Sequence, residues 1–181
     1  MLEYLDFASF TERDNGKKWE HKLYEPNKLA DSFNLITYFI ANDDVDAEQV
    51  QQYREATETD LLIALNTTCK RYDCLAIADN IIYCGSDEIE LAIYDLSFMN
   101  AYGNFIGIDW HDVKTALSYG KSIQFLHSSA TGENCIAVAC EQLIEQFKAC
   151  DSKYILKSMM INTFTDSSFD FEKQEFITNQ M

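Results

Sequence analysis

The firmest pattern in the first half of the chain is the run Leu35-Ile-Thr-Tyr-Phe-Ile-Ala41, whose β-branched and aromatic residues predict a buried strand. A short helix through Leu29, Ala30 and Phe33 is expected to lead into it from Pro26. Upstream, aromatics (Tyr4, Phe7, Phe10, Trp19, Tyr24) stand between charges and a turn signal spans Glu12 to Lys18, which predicts a hairpin or an ordered arm. Downstream, Asn42 to Glu48 is acidic but lacks the glycine and the distal Glu of a calcium loop. It reads as a solvated loop ending in a helix N-cap.

Thr57 or Thr59 is then expected to cap a helix over 58–71, where Leu61, Leu62, Leu65 and Cys69 recur at helical spacing and Lys70-Arg71 favour the C-terminal end. Cys74 to Asp79 predicts a strand. Ser86 or Asp87 opens a helix over 86–100 with Ile89, Ala92, Ile93, Leu96 and Met99 on one stripe. Strand, helix, strand, helix in that order predicts a small parallel sheet with right-handed crossovers. The second half changes character: a helix over 112–118, a strand over 121–126, an amphipathic helix over 132–148 and a long strand over 154–164. The expected fold class is therefore α/β plus α+β. A partial Rossmann-like three-layer half over 34–103 is joined by the central helix 86–100 to an α+β half over 104–181, with 1–33 as an N-terminal arm or extra element.

Composition narrows the function classes. Hydrophobic residues make up 47% and charged residues 24% of the 181, with one Pro, which is a packed globular profile and not a disordered one. Thirty Asp and Glu against 14 Lys and Arg give a net charge of -16, a field that repels phosphate backbones and anionic lipids, so neither nucleic acid nor membrane is an expected partner. The six glycines, at 16, 85, 103, 107, 120 and 132, form no GxGxxG and no GxxxxGK[ST], which argues against nucleotide hydrolysis. No apolar run approaches the length of a membrane span and the first residues lack the basic start of a secretory signal, so a cytoplasmic location is expected. Six cysteines without a C-x-x-C pair read as reduced core residues, and neither metal nor cofactor is expected.

From position 103 the residues form one recognisable series. Gly103-Asn-Phe-Ile-Gly-Ile-Asp109-Trp-His-Asp112-Val-Lys114 is followed by Gly120, by Ala130-Thr-Gly132-Glu133-Asn134, and by Ala137, Ala139 and Leu143-Ile144. The series resembles the FtsZ branch of the FtsZ/tubulin cytoskeletal GTPases, where a loop reading N-x-D-F-x-D-V-[KR] follows the central helix and a G-E-N-R-A turn opens a later helix. Asp109, Asp112, Val113, Lys114, Gly132, Glu133 and Asn134 match, and Lys157 to Thr163 is similar to the following strand of the family. Asn80 and Asp87 fall where the family places two guanine-contacting side chains, which would be a vestigial guanine site. The glycine-rich phosphate signature of the family has no counterpart, and Gly107 replaces the Asn of the loop.

The resemblance implies that the half over 104–181 is like the FtsZ C-terminal domain and that the loop reaches the nucleotide bound by a neighbouring subunit. Two carboxylates three residues apart suit that task, since one can order a water or cation while the other faces the same side. Asp112 could equally cap the helix over 112–118 with Asp109 as a turn residue. Trp110 and His111 stand between them, with Trp110 either an interface anchor or folded onto the central helix. His127 reads as structural, and Ser128-Ser129 has no triad setting. The expected interface set is thus Asp109, Trp110, His111, Asp112 and Lys114. The function implied is a non-enzymatic, non-GTPase FtsZ-like interaction protein of the cell-division cytoskeleton, docking on FtsZ filaments to modulate or cap assembly. The alternatives are a subunit that associates with another copy of itself, or a weak guanine-nucleotide-binding protein.

Overall fold

Two central strands carry the core, and both are buried on both faces. β2 (Phe33–Ile40) and β3 (Leu61–Asn66) pair in parallel with Ile36 facing Leu61 and Ile40 facing Leu65, and all six residues of β3 are buried. A computed structural model of the chain describes residues 19–26, 33–68, 70–98, 108–150, 155–165 and 169–181. Around β2 and β3 it adds β1 (Trp19–Leu23), β4 (Asn80–Tyr83) and β5 (Ser122–Gln124), all parallel, in the order β1-β2-β3-β4-β5. The helices are α1 (Ala47–Ala56), α2 (Ile89–Phe98), α3 (Trp110–Ser118), α4 (Cys135–Ala149) and α5 (Phe171–Gln180), with a 3-10 turn at Asp73–Ala76. The chain divides into two compact units, Met1–Phe125 and Leu126–Met181, so α3 and β5, expected in the second half, complete the sheet unit.

Side chains on a strand alternate faces, and the two faces of the sheet are covered differently. Phe39, Leu62, Ala64 and Ile81 pack with Val50 of α1 and with Cys74, Leu75 and Ala78 around the 3-10 turn. On the opposite face the Tyr38 hydroxyl meets Ser97 Oγ of α2 at 3.2 Å, and Ile93 and Leu96 of that helix are buried. α1 and α2 therefore cover opposite faces of the sheet.

Several elements differ from the sequence reading. The helix expected over 58–71 is replaced by β3, because Leu61-Leu-Ile-Ala-Leu65 is apolar at every position and satisfies a doubly buried strand as well as a helical stripe. The crossover helix is instead α1, opened by Asp46, whose Oδ1 accepts from Glu48 N at 2.9 Å and Gln49 N at 3.3 Å. Lys70 closes the neighbouring loop by pairing with Asp43. The strand expected over 74–79 is the 3-10 turn, whose Cys74 and Leu75 plug the core. Asp79 then accepts from Leu62 N at 2.7 Å, and the strand starts one residue later. Phe33 opens β2 and not a helix, while the rest of the expected helix over 27–32 lies outside the described residues, as do Cys69, Met99 and Gly103 to Gly107. The strands at 35–41 and 121–126 and the helices at 86–100 and 132–148 appear with ends moved by a few residues.

In the second unit α4 packs on α5, and the turn before α4 places Gly132 at φ 98, a conformation that favours glycine. The strand expected over 154–164 is absent: residues 155–165 form neither helix nor strand. Its composition suits a ladder, but none of the described strands lies in this unit to pair with it. Among the described residues, no helix is long and apolar enough to cross a membrane.

Candidate functional site

The acidic loop is built at the end of the sheet where its strands β3 and β4 begin. Asp109 has extended backbone (φ -97, ψ 173) and is the N-cap of α3. Its Oδ1 accepts from Asp112 N at 2.9 Å, and Asp112 Oδ2 accepts from Asp109 N at 3.0 Å, a reciprocal capping box. The expected roles are thereby corrected: Asp109 is the cap and not a turn residue, and Asp112 is the returning partner one turn into a helix that begins at Trp110. Both carboxylates are exposed, and each keeps its second oxygen without a partner among the described residues.

Trp110 and Lys114 are four residues apart and so share one side of α3. That side faces Asp60, in the bend just before β3. Trp110 Nε1 donates to Asp60 Oδ2 at 3.0 Å, and Lys114 Nζ reaches Asp60 Oδ1 at 2.9 Å and Oδ2 at 3.0 Å. The same ammonium lies 5.9 Å from the centre of the Trp110 ring. Trp110 is half-buried, its indole N–H held by the residue just before β3. At the other end of α3, Asn80 Nδ2 donates to the carbonyls of Leu117 and Gly120, both at 3.0 Å, while Val113 and Leu117 are buried beneath the helix. Both ends of α3 are thus tied to the beginnings of strands.

Of the five expected interface residues, the structure leaves Asp109, His111 and Asp112 exposed and engages Trp110 and Lys114 with Asp60. Asn80 and Asp87 are not brought together. Asn80 is the first residue of β4, buried, with its amide spent on α3, whereas Asp87 is exposed in the turn beyond the other end of the strand. His127 accepts from Gln146 Nε2 through its carbonyl at 2.7 Å, and Ser128 Oγ donates to the Ala139 carbonyl at 2.9 Å, so that hydroxyl serves the backbone.

Asp60 is the residue the sequence reading did not single out. It stands 50 positions from Trp110 in the chain, and only the fold brings the two together. Beside it, Arg54 pairs with Asp79 at 2.9 Å and donates to the Asp60 carbonyl at 3.4 Å, which ties the end of α1 to the starts of the same strands.

Cys74, Cys84, Cys135, Cys140 and Cys150 are free thiols. Burial pushes Cys84 up to about 11, helped by the nearby Glu88 and Asp87 carboxylates, and it also raises Cys74 and Cys140. No group of three or more His, Cys, Asp or Glu side chains among the described residues is arranged to hold a metal ion. Comparison of the chain with protein-family models, with curated proteins and with solved structures found no match.

Proposed function

We propose that this protein is a non-catalytic FtsZ-like interaction protein that docks end-on onto an FtsZ filament through its acidic loop and modulates or caps assembly. The observation that carries this reading is the capping-box loop itself. Two exposed carboxylates three residues apart are held by each other's backbone, on a helix tied at both ends to the starts of β3 and β4. Such a loop costs little ordering entropy on binding, because its geometry is set before a partner arrives. In the FtsZ family the carboxylates that these resemble meet the nucleotide of the next subunit, and the place of α3 at the starts of β3 and β4 suits contact of that end-to-end kind.

A chain of this kind needs no chemistry of its own. Transfer of a phosphoryl group depends on backbone donors and cations arranged around a triphosphate, and the glycine pattern of this sequence encodes no such cradle. The test is sedimentation of FtsZ polymers formed with GTP in the presence of the purified protein. The expected result is recovery of the protein in the polymer pellet, or a dose-dependent change in pelleted FtsZ, together with no GTP turnover by the protein alone. Absence of both pelleting and any change in FtsZ would refute the reading.

A further inference from the structure

β5 (Ser122–Gln124) is an end strand of the sheet, and its outer side is open. Ile81 N donates to the Lys121 carbonyl at 2.7 Å, and Phe125 N donates to the Tyr83 carbonyl at 3.0 Å. Backbone groups alternate sides along a parallel ladder, so Lys121, Ile123 and Phe125 serve β4 while the N–H and C=O of Ser122 and Gln124 point away from it. Both residues are exposed, and those outward backbone groups have no hydrogen-bond partner among the described residues. An open row of strand donors and acceptors is a template for another strand. Charge points to the occupant. Residues 113–132 contain no Asp or Glu in a chain that has thirty, so along this stretch two copies, each at -16, can meet without apposing carboxylates. An acidic partner is not favoured, because the two lysines of the run are already engaged, Lys114 by Asp60 and Lys121 by the Ala76 carbonyl at 3.1 Å.

We propose that the β5 strands of two copies pair antiparallel across a twofold axis, joining two five-stranded sheets into one continuous sheet. The open groups select the register. With Ile123 opposite Ile123 of the second copy, the axis passes between them and all three residues of each strand are paired. Ser122 then exchanges N–H to C=O bonds with Gln124 of the second copy, and symmetry repeats the pair, which uses every outward backbone group of these residues on both strands. Ile123 meets its copy at the non-hydrogen-bonded position, where side chains approach most closely and a β-branched pair is favourable. Such a contact is the same patch on both partners and closes at two, so it gives dimers and not filaments.

The test uses the full chain alone, so its outcome is independent of any FtsZ partner. Sedimentation velocity at low salt and at about 1 M salt, where screening acts within about 3 Å, should show a monomer–dimer equilibrium shifted toward dimer by salt. Ser122→Pro removes an outward N–H and none of the bonds to β4. It should weaken dimerisation about tenfold or more at both salts, since symmetry takes away two interchain bonds at once. Ser122→Glu keeps the backbone and sets a carboxylate into the acid-free edge, so it should weaken dimerisation at low salt and recover at about 1 M salt. Helical circular dichroism should be unchanged in both variants. In the wild type, amide exchange followed by NMR should slow at Ser122 and Gln124 as concentration rises, a readout that needs no variant, whereas Ile123, whose N–H serves β4, should be protected at every concentration. A chain that stays monomeric at every salt and concentration, a dimer indifferent to Ser122→Pro, or concentration-dependent protection that misses Ser122 and Gln124 would overturn the proposal.

Discussion

Trp110 Nε1 and Asp60 Oδ2 meet at 3.0 Å, and Lys114 completes the cluster from one turn further along α3. One carboxylate thus holds both the ring and the ammonium of the same helix face. Trp110→Phe removes the indole donor and should cost about 1 kcal/mol, the net worth of one hydrogen bond. Asp60→Ala removes both interactions, but the ion pair is partly exposed and adds only about 0.2–1 kcal/mol. Thermal unfolding of both single variants and of the double variant should give losses that do not add. Strictly additive losses would show that the contact contributes nothing to stability.

Ile93 is wholly buried on the α2 side of the sheet, on the same helix as Ser97, which meets Tyr38. Ile93→Asp would place an uncompensated charge there and should cost about 3 kcal/mol or more. Tyr38→Phe, which removes one hydroxyl and keeps the ring, should cost about 1 kcal/mol. A melting temperature unchanged in Ile93→Asp would contradict the packing of α2.

Thr37, Thr57 and Thr59 form a buried chain of hydroxyls, with Thr37 to Thr59 and Thr57 to Thr59 both at 2.7 Å and Asn34 Nδ2 donating to Thr37 at 3.1 Å. Thr37→Val keeps the shape but takes away the hydroxyl between Asn34 and Thr59. The expected loss is about 1–3 kcal/mol from groups left without that partner, measurable by urea unfolding with an unchanged m value. A neutral result would mean that the network rearranges around a methyl group.

The thiol of Cys84 is held protonated by burial and by the nearby Glu88 and Asp87 carboxylates, its value pushed up to about 11 from 9.0. Because the folded state disfavours the thiolate, this group leaves stability unchanged below pH 9 and lowers it as pH rises from about 9 to about 11. Native alkylation at neutral pH should therefore modify the half-buried Cys135 and Cys150 before Cys84, with Cys84 reacting on unfolding. Early labelling of Cys84, mapped by mass spectrometry, would contradict its burial.

What the sequence disclosed followed from period and end signals. Leu35 to Ala41 is legible from its β-branched and aromatic residues, and the α2 and α4 stripes from a helical period. Leu61 to Leu65 suits strand and helix alike, since a run apolar at every position has no period, and only its place between β2 and β4 makes it a strand. Cys74 to Asp79 misled for a related reason: its apolar residues face the core, but from a 3-10 turn. The loop was legible as Asp109 and Asp112 three apart, while its anchoring was not. Asp60 and Asn80 are 50 and 37 residues from the α3 groups they hold, and nothing local in the sequence records such a pairing.

The acidic loop admits a test that separates interface from cap. In the structure Asp109 and Asp112 already cap α3 through one oxygen each, so alanine would remove the cap along with the charge. Asp109→Asn with Asp112→Asn keeps an oxygen acceptor at both positions, and Asn is as good an N-cap as Asp. Folding should change by less than about 1 kcal/mol. Binding to FtsZ polymers, by contrast, should fall at least tenfold, because a carboxylate directed at a partner's donors or cation is worth about 2 kcal/mol or more. The net charge moves from -16 to -14 in this variant, which by itself relaxes repulsion from an acidic partner and would strengthen association. Asp44→Asn with Glu90→Gln makes the same change in charge beyond the opposite ends of the strands, where both side chains are exposed. Weaker binding by the loop variant against equal or stronger binding by the control is the expected outcome. If the two variants bind alike, Asp109 and Asp112 serve only to start α3, and the end-on docking reading loses the observation that carries it.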